Sequence, residues 1–488
     1  MENKSVTRNY IYNLIYQILM LILPLISTPY ISRVLGAENI GIYSYTISII
    51  TYFILFGSLG ITLYAQREIA YVQDNKEKRS KIFWEITIFR CITILIAILI
   101  YYIYINENEY QLYYQILSIE FIATCLDISW FFQGIEEFKK TITRNIIIKL
   151  LSIISIFIFV KEKSDLNNYF IIYVVSNLLG NLSLWLYLPR YIQKVKIKTL
   201  NILKHLKPTI SLFIPQIAIQ VYVLLDKVML GMIISDKSEV GYYEQSQKIV
   251  KILLTLITAL GTVMIPRIAN NFIKGEKEKV KQYLLKSFNF VLFLSIPMIA
   301  GIIIISDKFV PLFFGNGYDE VIKLMIIISP ILIIIGISNV IGTQYLLPTK
   351  RQKEYTISVI IGALVNFILN LILIRKNGAV GASIATVLAE TSVTAIQLYF
   401  IRKEFNIKNI VKSIKKYIIA AIIMFLICTL LENVMFNNVS EIVILILQVI
   451  LGAMIYICTL LYIFKDNFVI YIKEKLKSFI ENKMNFAK

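Results

Sequence analysis

A single histidine, His205, and four cysteines serve all 488 residues. Zinc, copper and iron centres are built from clusters of those side chains, so a His/Cys transition-metal centre is excluded. Cys91, Cys125, Cys428 and Cys458 stand in apolar runs with no CxxC spacing, the setting of small packing residues. His205 lies in a basic connector, which argues against a serine–histidine triad. Polar sequence is scarce too: no stretch between Leu14 and Phe464 is long enough to fold outside a membrane. The first apolar run follows Lys4 and Arg8 as a signal peptide would, but it lacks a small-residue cleavage site. It is expected to be retained as a helix.

What fills the chain is apolar. Hydrophobic residues make up 57% of it, against ~45–50% in soluble domains, and the mean hydropathy is +0.71. A spanning helix needs ~20 mostly apolar residues. Windowed hydropathy places fourteen such spans at 10–33, 40–64, 83–105, 111–133, 142–160, 169–189, 209–233, 240–265, 286–305, 320–347, 355–374, 379–401, 417–435 and 441–464. The bias toward Ile, Lys, Asn and Tyr reads as genomic base composition.

The formal net charge of +19 invites a nucleic-acid reading. The basic residues, however, sit in short connectors, with no face that tracks phosphates. With the N-terminus inside, about 37 of the fifty Lys and Arg fall on the N-terminal side of the membrane, in 67–81, 139–144, 190–207, 267–286, 350–353, 402–416 and the tail from 465. The opposite connectors, such as 106–110 and 436–440, are short and poor in Lys and Arg. That asymmetry predicts both termini in the cytoplasm of a multi-pass protein in a bacterial inner membrane.

The chain also echoes itself. Val34-Leu35-Gly36 then Ile40-Gly41-Ile42-Tyr43 returns as Met229-Leu230-Gly231 then Val240-Gly241-Tyr242-Tyr243. A second echo relates Gln133 through Lys140 to Gln344 through Arg351. Six spans separate the copies, so both share one orientation, as in transporters built from parallel repeats. The expected architecture is an all-α membrane protein of two six-helix lobes, 1–207 and 208–416, with two further spans and a basic tail in 417–488.

Charges inside a membrane are costly and mark cavities or partners. Those worth naming in the spans are Arg33, Arg90, Lys149, Lys227, Lys248, Lys251 and Lys323, with Asp127, Asp226, Glu244 and Glu390, seven cations to four anions. Such a surplus favours an anionic ligand of the phosphate or pyrophosphate type. Plainer roles stand beside it: Arg90 and Lys149 as snorkelling side chains, Arg33 as an interfacial anchor, and Glu244 with Lys248 as an i,i+4 pair. Pro24, Pro29, Pro215, Pro297 and Pro330 permit kinks, which suit bending helices and static bundles alike.

Ser32-Arg33-Val34-Leu35-Gly36, Gly241-Tyr242-Tyr243 through Lys248, 259–266, Asn366 to Asn370, and Gly378-Ala379-Val380-Gly381-Ala382 through Thr386 resemble the multidrug/oligosaccharidyl-lipid/polysaccharide exporter superfamily. The likeness runs over nearly the whole chain and is nearest to the Wzx-type flippases of polysaccharide repeat units. It implies two six-helix lobes forming a V, and transfer of undecaprenyl-pyrophosphate-linked oligosaccharides between leaflets, with no cofactor and no bond made or broken. By resemblance to the lipid II flippase branch, Arg33 and Lys248 are diphosphate contacts, joined by Lys251, Lys323 and Arg90 as candidate cavity cations. The same relative implies a sodium site at Asp226, Asn366, Asn370, the Ala382 carbonyl and Thr386, though it has a carboxylate where this chain has Asn370. Sodium or protons are thus the expected coupling ions. Lipid-linked oligosaccharide and membrane lipids are the expected partners, with a polysaccharide polymerase and chain-length regulator nearby, and no nucleic acid. Two rival readings are a cation-coupled drug antiporter, which prefers an anionic pocket, and a membrane polymerase or glycosyltransferase, which needs a sizeable outer loop. Glu107-Asn108-Glu109 is too short for the latter.

Overall fold

The computed structural model describes residues 6–404, 407–435, 440–471, 473–475 and 478. Most of the expected outer connector 436–440, the end of the basic tail, and the side chains of Arg8 and Pro215 lie outside the described residues. Every regular element described is helical. Within hydrocarbon this is the expected outcome, because a helix satisfies its own backbone. Eleven helices are long and apolar enough to cross a membrane. Two of them, Leu19–Tyr71 and Gln352–Ile401, run for 53 and 50 residues, more than twice what a bilayer needs. Each is broken at a glycine, Gly36 with φ 76° and ψ 171° and Gly378 with φ 51° and ψ −130°. Those conformations are closed to residues with a Cβ. The breaks fall where the expected spans 10–33 and 40–64, and 355–374 and 379–401, part company. The helix Leu206–Ile233 covers the seventh expected span.

The chain folds as two compact units, Met1–Gly241 and Tyr242–Lys488. The lobe boundary expected at 207/208 falls at the head of Leu206–Ile233. That helix packs on Val6–Ser58 and on Ile61–Tyr71, and the first unit closes only at Gly241.

In the first unit, Lys76–Ile105 exposes Leu95, Leu99 and Ile103, spaced four apart, while Phe83, Ile86, Phe89 and Tyr101 are buried. A soluble helix hides its apolar stripe; this one is apolar on both faces, as a lipid-facing helix must be. Near one end of the unit Ile61, Tyr64, Phe83, Trp130, Phe131 and Phe132 form a core, with Phe83 stacked on Trp130 at 5.6 Å. The Gly36 break is pinned to the 160–165 turn. Asn39 Nδ2 donates to the Lys163 carbonyl at 2.9 Å and the Tyr30 hydroxyl to the Val160 carbonyl at 2.7 Å.

The first sequence echo meets itself in space. A Cβ on Gly41 would stand 1.7 Å from the Lys237 carbonyl oxygen, and one on Gly241 would stand 2.0 Å from that of Ala37. Each glycine is therefore bare because backbone occupies the place of its side chain. In the second unit the long helix Lys277–Phe314 packs on Asp319–Ile328, Ile331–Ile341, Ile407–Met435 and Glu441–Cys458. The second echo does parallel work inside each unit. Lys140 lies over the Tyr191 ring at 4.0 Å and bonds its hydroxyl. Arg351 reaches Glu404 at 2.6 Å and Glu354 at 2.5 Å. In both units a basic residue ties the turn after a glutamine-ended helix to chain some fifty residues further on.

Gly41→Ala and Gly241→Ala are expected to destabilise the protein by about 1–3 kcal/mol or more, the usual cost of overpacking. Gly301→Ala, where a Cβ meets nothing within 4 Å, should leave stability unchanged. Thermal melting of the detergent-solubilised protein checks this; unchanged melting of both crossing variants would remove the crossing as a close contact.

Candidate functional site

The candidate residues divide between the two units. In the first, the expected span 111–133 is three short helices, Gln111–Leu117, Ile119–Leu126 and Ser129–Gly134, and its second break uncovers backbone groups around Asp127. Arg90 repairs that break. Its Nη1 donates to the Asp127 carbonyl at 2.9 Å and its Nη2 lies 3.8 Å from the carboxylate, while the Ser129 N–H and the Trp130 indole also bond to Asp127. Arg90 is thus buried in a structural contact. Arg33 is exposed, three residues before the Gly36 break.

In the second unit Lys248 and Lys251 lie on Ser238–Thr258 at i,i+3 and share one face of it. Lys248 is half-buried, and Lys251 is exposed, as is Lys323 on Asp319–Ile328. These three are the cations this unit keeps accessible among the sequence-derived candidates.

Asp226 is buried in the first unit. Asn366, Asn370, Ala382 and Thr386 are buried in the second. Asn370 Nδ2 donates to Asn366 Oδ1 at 3.1 Å, and the Thr386 hydroxyl donates to the Ala382 carbonyl at 2.9 Å. Two further residues lie beside Thr386: the Tyr243 hydroxyl is 2.9 Å from Thr386 Oγ1, and Gln247 Nε2 donates to that Tyr243 hydroxyl at 2.8 Å. The donor set is neutral amide, hydroxyl and carbonyl oxygen, which suits a hard monovalent cation. Among the described residues no group of three or more His, Cys, Asp and Glu is placed to hold a metal.

The second unit also carries an apolar groove of about 420 Å³, walled by Phe293, Pro297, Met424, Gln448, Gly452 and Tyr456. It is wholly lined by helices of that unit, including the two C-terminal ones.

Buried charged residues missing from the sequence-derived set include Glu85, Glu120 and Lys237. The two carboxyls stand in apolar runs, and that position is the signal that marks them. Glu85 accepts from the Asn201 N–H at 2.7 Å and meets Lys204 at 2.5 Å and His205 Nε2 at 3.2 Å. His205 Nδ1 lies 2.8 Å from the Tyr64 hydroxyl. A neutral ring that donates at Nε2 and accepts at Nδ1 satisfies both contacts, so the only histidine straps the 190–205 connector to the first unit. Lys237 caps the end of Leu206–Ile233, donating to the Gly231, Ile234 and Ser235 carbonyls where the helix dipole favours a cation.

A profile described as "Polysaccharide biosynthesis protein" matches residues 6–272, more than half the chain, and one described as "MatE" matches 212–372. The chain belongs to the polysaccharide biosynthesis protein family. It is 29% identical, over 82% of its length and 97% of the relative's, to an Escherichia coli K12 protein described as "Putative O-antigen transporter". A solved lipid II flippase in an inward closed conformation superposes with a TM-score of 0.76 at 20% identity, covering 94% of this chain and 99% of that one. An inward-facing MATE-family multidrug resistance transporter gives 0.63 at 13% identity, covering 80% and 95%. This member of the polysaccharide biosynthesis protein family therefore has the exporter-superfamily fold that its sequence resembled, and it is a multi-pass membrane protein.

Burial pushes the His205 imidazole below its usual value of 6.5, and its hydrogen bond to the Glu85 carboxylate only partly opposes it. The unfolded chain then takes up a proton near that value while the folded one does not, so acidification through about 6.5 favours unfolding. Wild-type protein should melt lower below that pH than above it. His205→Gln should flatten the difference; an unaltered acid dependence in the variant would exclude His205 as its source.

Proposed function

We propose that this chain is a flippase that carries undecaprenyl-pyrophosphate-linked oligosaccharide repeat units from the inner to the outer leaflet of a bacterial cytoplasmic membrane, for polysaccharide of the O-antigen or capsule kind. The match to the E. coli O-antigen transporter along nearly all of that relative's length carries the reading. The lipid II flippase fold supports it. No bond is made or broken, so the chain is not an enzyme. It acts by alternating access, with both termini in the cytoplasm.

Chemistry assigns the parts. A diphosphate needs cations that keep their charge within reach of solvent: Arg33 on the first unit, and Lys248, Lys251 and Lys323 on the second. Arg90 is committed to Asp127 and serves the helix break. The polyprenyl tail occupies the apolar groove beside Phe293 and Tyr456. Sodium or proton coupling involves Asp226 on one unit and the Asn366, Asn370, Ala382 and Thr386 oxygens on the other. A polymerase and a chain-length regulator are the protein partners of such a pathway.

Arg33→Ala and Lys248→Ala, each at confirmed expression, should slow flipping of a fluorescent undecaprenyl-pyrophosphate glycan in proteoliposomes by about ten- to a hundred-fold, the worth of one charge-assisted hydrogen bond. Wild-type rates in both variants would overturn the diphosphate assignment. Failure of the wild type to flip this probe, with altered drug susceptibility in a deletion strain, would replace the reading with a drug antiporter. For the coupling ion, exchanging sodium for choline should slow the wild type but not Asn370→Ala; equal rates in both salts would remove sodium.

A further inference from the structure

Most buried carboxyls of the described residues with an identified partner meet a cation. Glu85 meets Lys204 and the fully buried Asp466 meets Lys416; the half-buried Asp127 likewise meets Arg90. Glu120 departs from that pattern. It lies in the first turn of Ile119–Leu126 and is 8% exposed. Its Oε1 accepts one hydrogen bond, from Asn177 Nδ2 at 2.9 Å on the facing helix Leu166–Trp185. Among the described residues no basic side chain is seen to pair with it.

The surroundings are aromatic and amide. Tyr173 and Tyr43 stand near enough to feel a charge on Glu120. The Tyr43 ring contacts those of Tyr169 and Tyr173 at 4.4 and 5.9 Å. Phe121, the next residue, lies against Tyr101 at 5.1 Å. The charged groups on the packed elements are engaged elsewhere: Arg90 at Asp127, and Arg144 at Asn181 Oδ1. Asn181 stands one turn from Asn177 and donates to the Ala123 carbonyl at 2.7 Å. A polar column thus runs from the Glu120–Asn177 pair to the Asn181–Arg144 pair, one turn apart on Leu166–Trp185.

An ionised carboxylate there would give up its hydration for one amide N–H, whereas a neutral one keeps that bond and carries its proton on the second oxygen. We infer that Glu120, held by Asn177, is a proton-binding site inside the first unit: it is loaded while the column is dry, and it discharges when water or a cation such as Arg144 reaches it. This site is separate from the ion set of the second unit. Its use in driving transport rests on the proposed flippase reading, but its existence does not.

Two experiments on the full-length protein test it. In detergent micelles, infrared difference spectra between about pH 5 and about pH 9, above the ordinary glutamic acid titration of about 4.3, should show a protonated-carboxyl band that Glu120→Gln removes. Asn177→Ser should shift the midpoint of the same band, and it serves if Glu120→Gln does not fold. A band that neither substitution alters overturns the proton site. A structural hydrogen bond alone predicts that outcome, because glutamine keeps the bond to Asn177. In proteoliposomes flipping the fluorescent glycan lipid, an imposed pH gradient should speed the wild type, and Glu120→Gln should lose that acceleration while flipping without a gradient. Acceleration retained in Glu120→Gln would overturn the coupling role. The spectroscopic arm needs no cargo, so a wild type that fails to flip the glycan lipid counts against the flippase reading and not against the site.

Discussion

Hydrocarbon offers no hydrogen-bonding partner to a peptide group, and each interruption of a membrane helix must therefore be repaired by the protein itself. Much of the chemistry in the first unit is such repair. Arg90 closes the break at Asp127, Lys237 covers the last carbonyls of Leu206–Ile233, and Asn39 and Tyr30 hold the turn opposite Gly36. The breaks in turn place side chains that a straight helix would send elsewhere. The same demand explains the glycine crossing, where Gly41 and Gly241 let two backbones approach closely enough to exclude side chains.

Repair consumes charge. A cation surplus in the spans reads, from composition, as a site for an anion, yet its members do different work. Arg90 stabilises backbone, whereas Arg33, Lys248, Lys251 and Lys323 keep enough exposure to meet a phosphate. A buried arginine already bonded to a carbonyl and a carboxylate would have to abandon both to bind a ligand, leaving them unsatisfied. Solvent access is what separates the cations able to serve a cargo from those that serve the fold.

Family and architecture were legible along the chain. Runs of apolar residues gave the helices, the gaps between expected spans fell where the structure turns at Gly36 and Gly378, and the Gly41 and Gly241 echoes pointed to related pieces. The candidate sites were legible only in part. Asn366 and Asn370 are one turn apart and could be paired from spacing, but Tyr243 reaches Thr386, with Gln247 bonded to it, from another helix. Glu120 was visible as a carboxyl in an apolar run, without any sign of whether a lysine or an amide would face it.

The sequence by itself determined an all-helical, many-spanning exporter fold, because hydropathy and backbone conformation are settled by residues near one another in the chain. The tertiary structure decided which charges are paired. Glu85 finds Lys204 and His205 from a connector 120 residues away, and Glu120 finds only Asn177, 57 residues on. The cost of a buried charge depends on what stands within a few ångströms of it, and in a helical membrane protein those neighbours come from other spans.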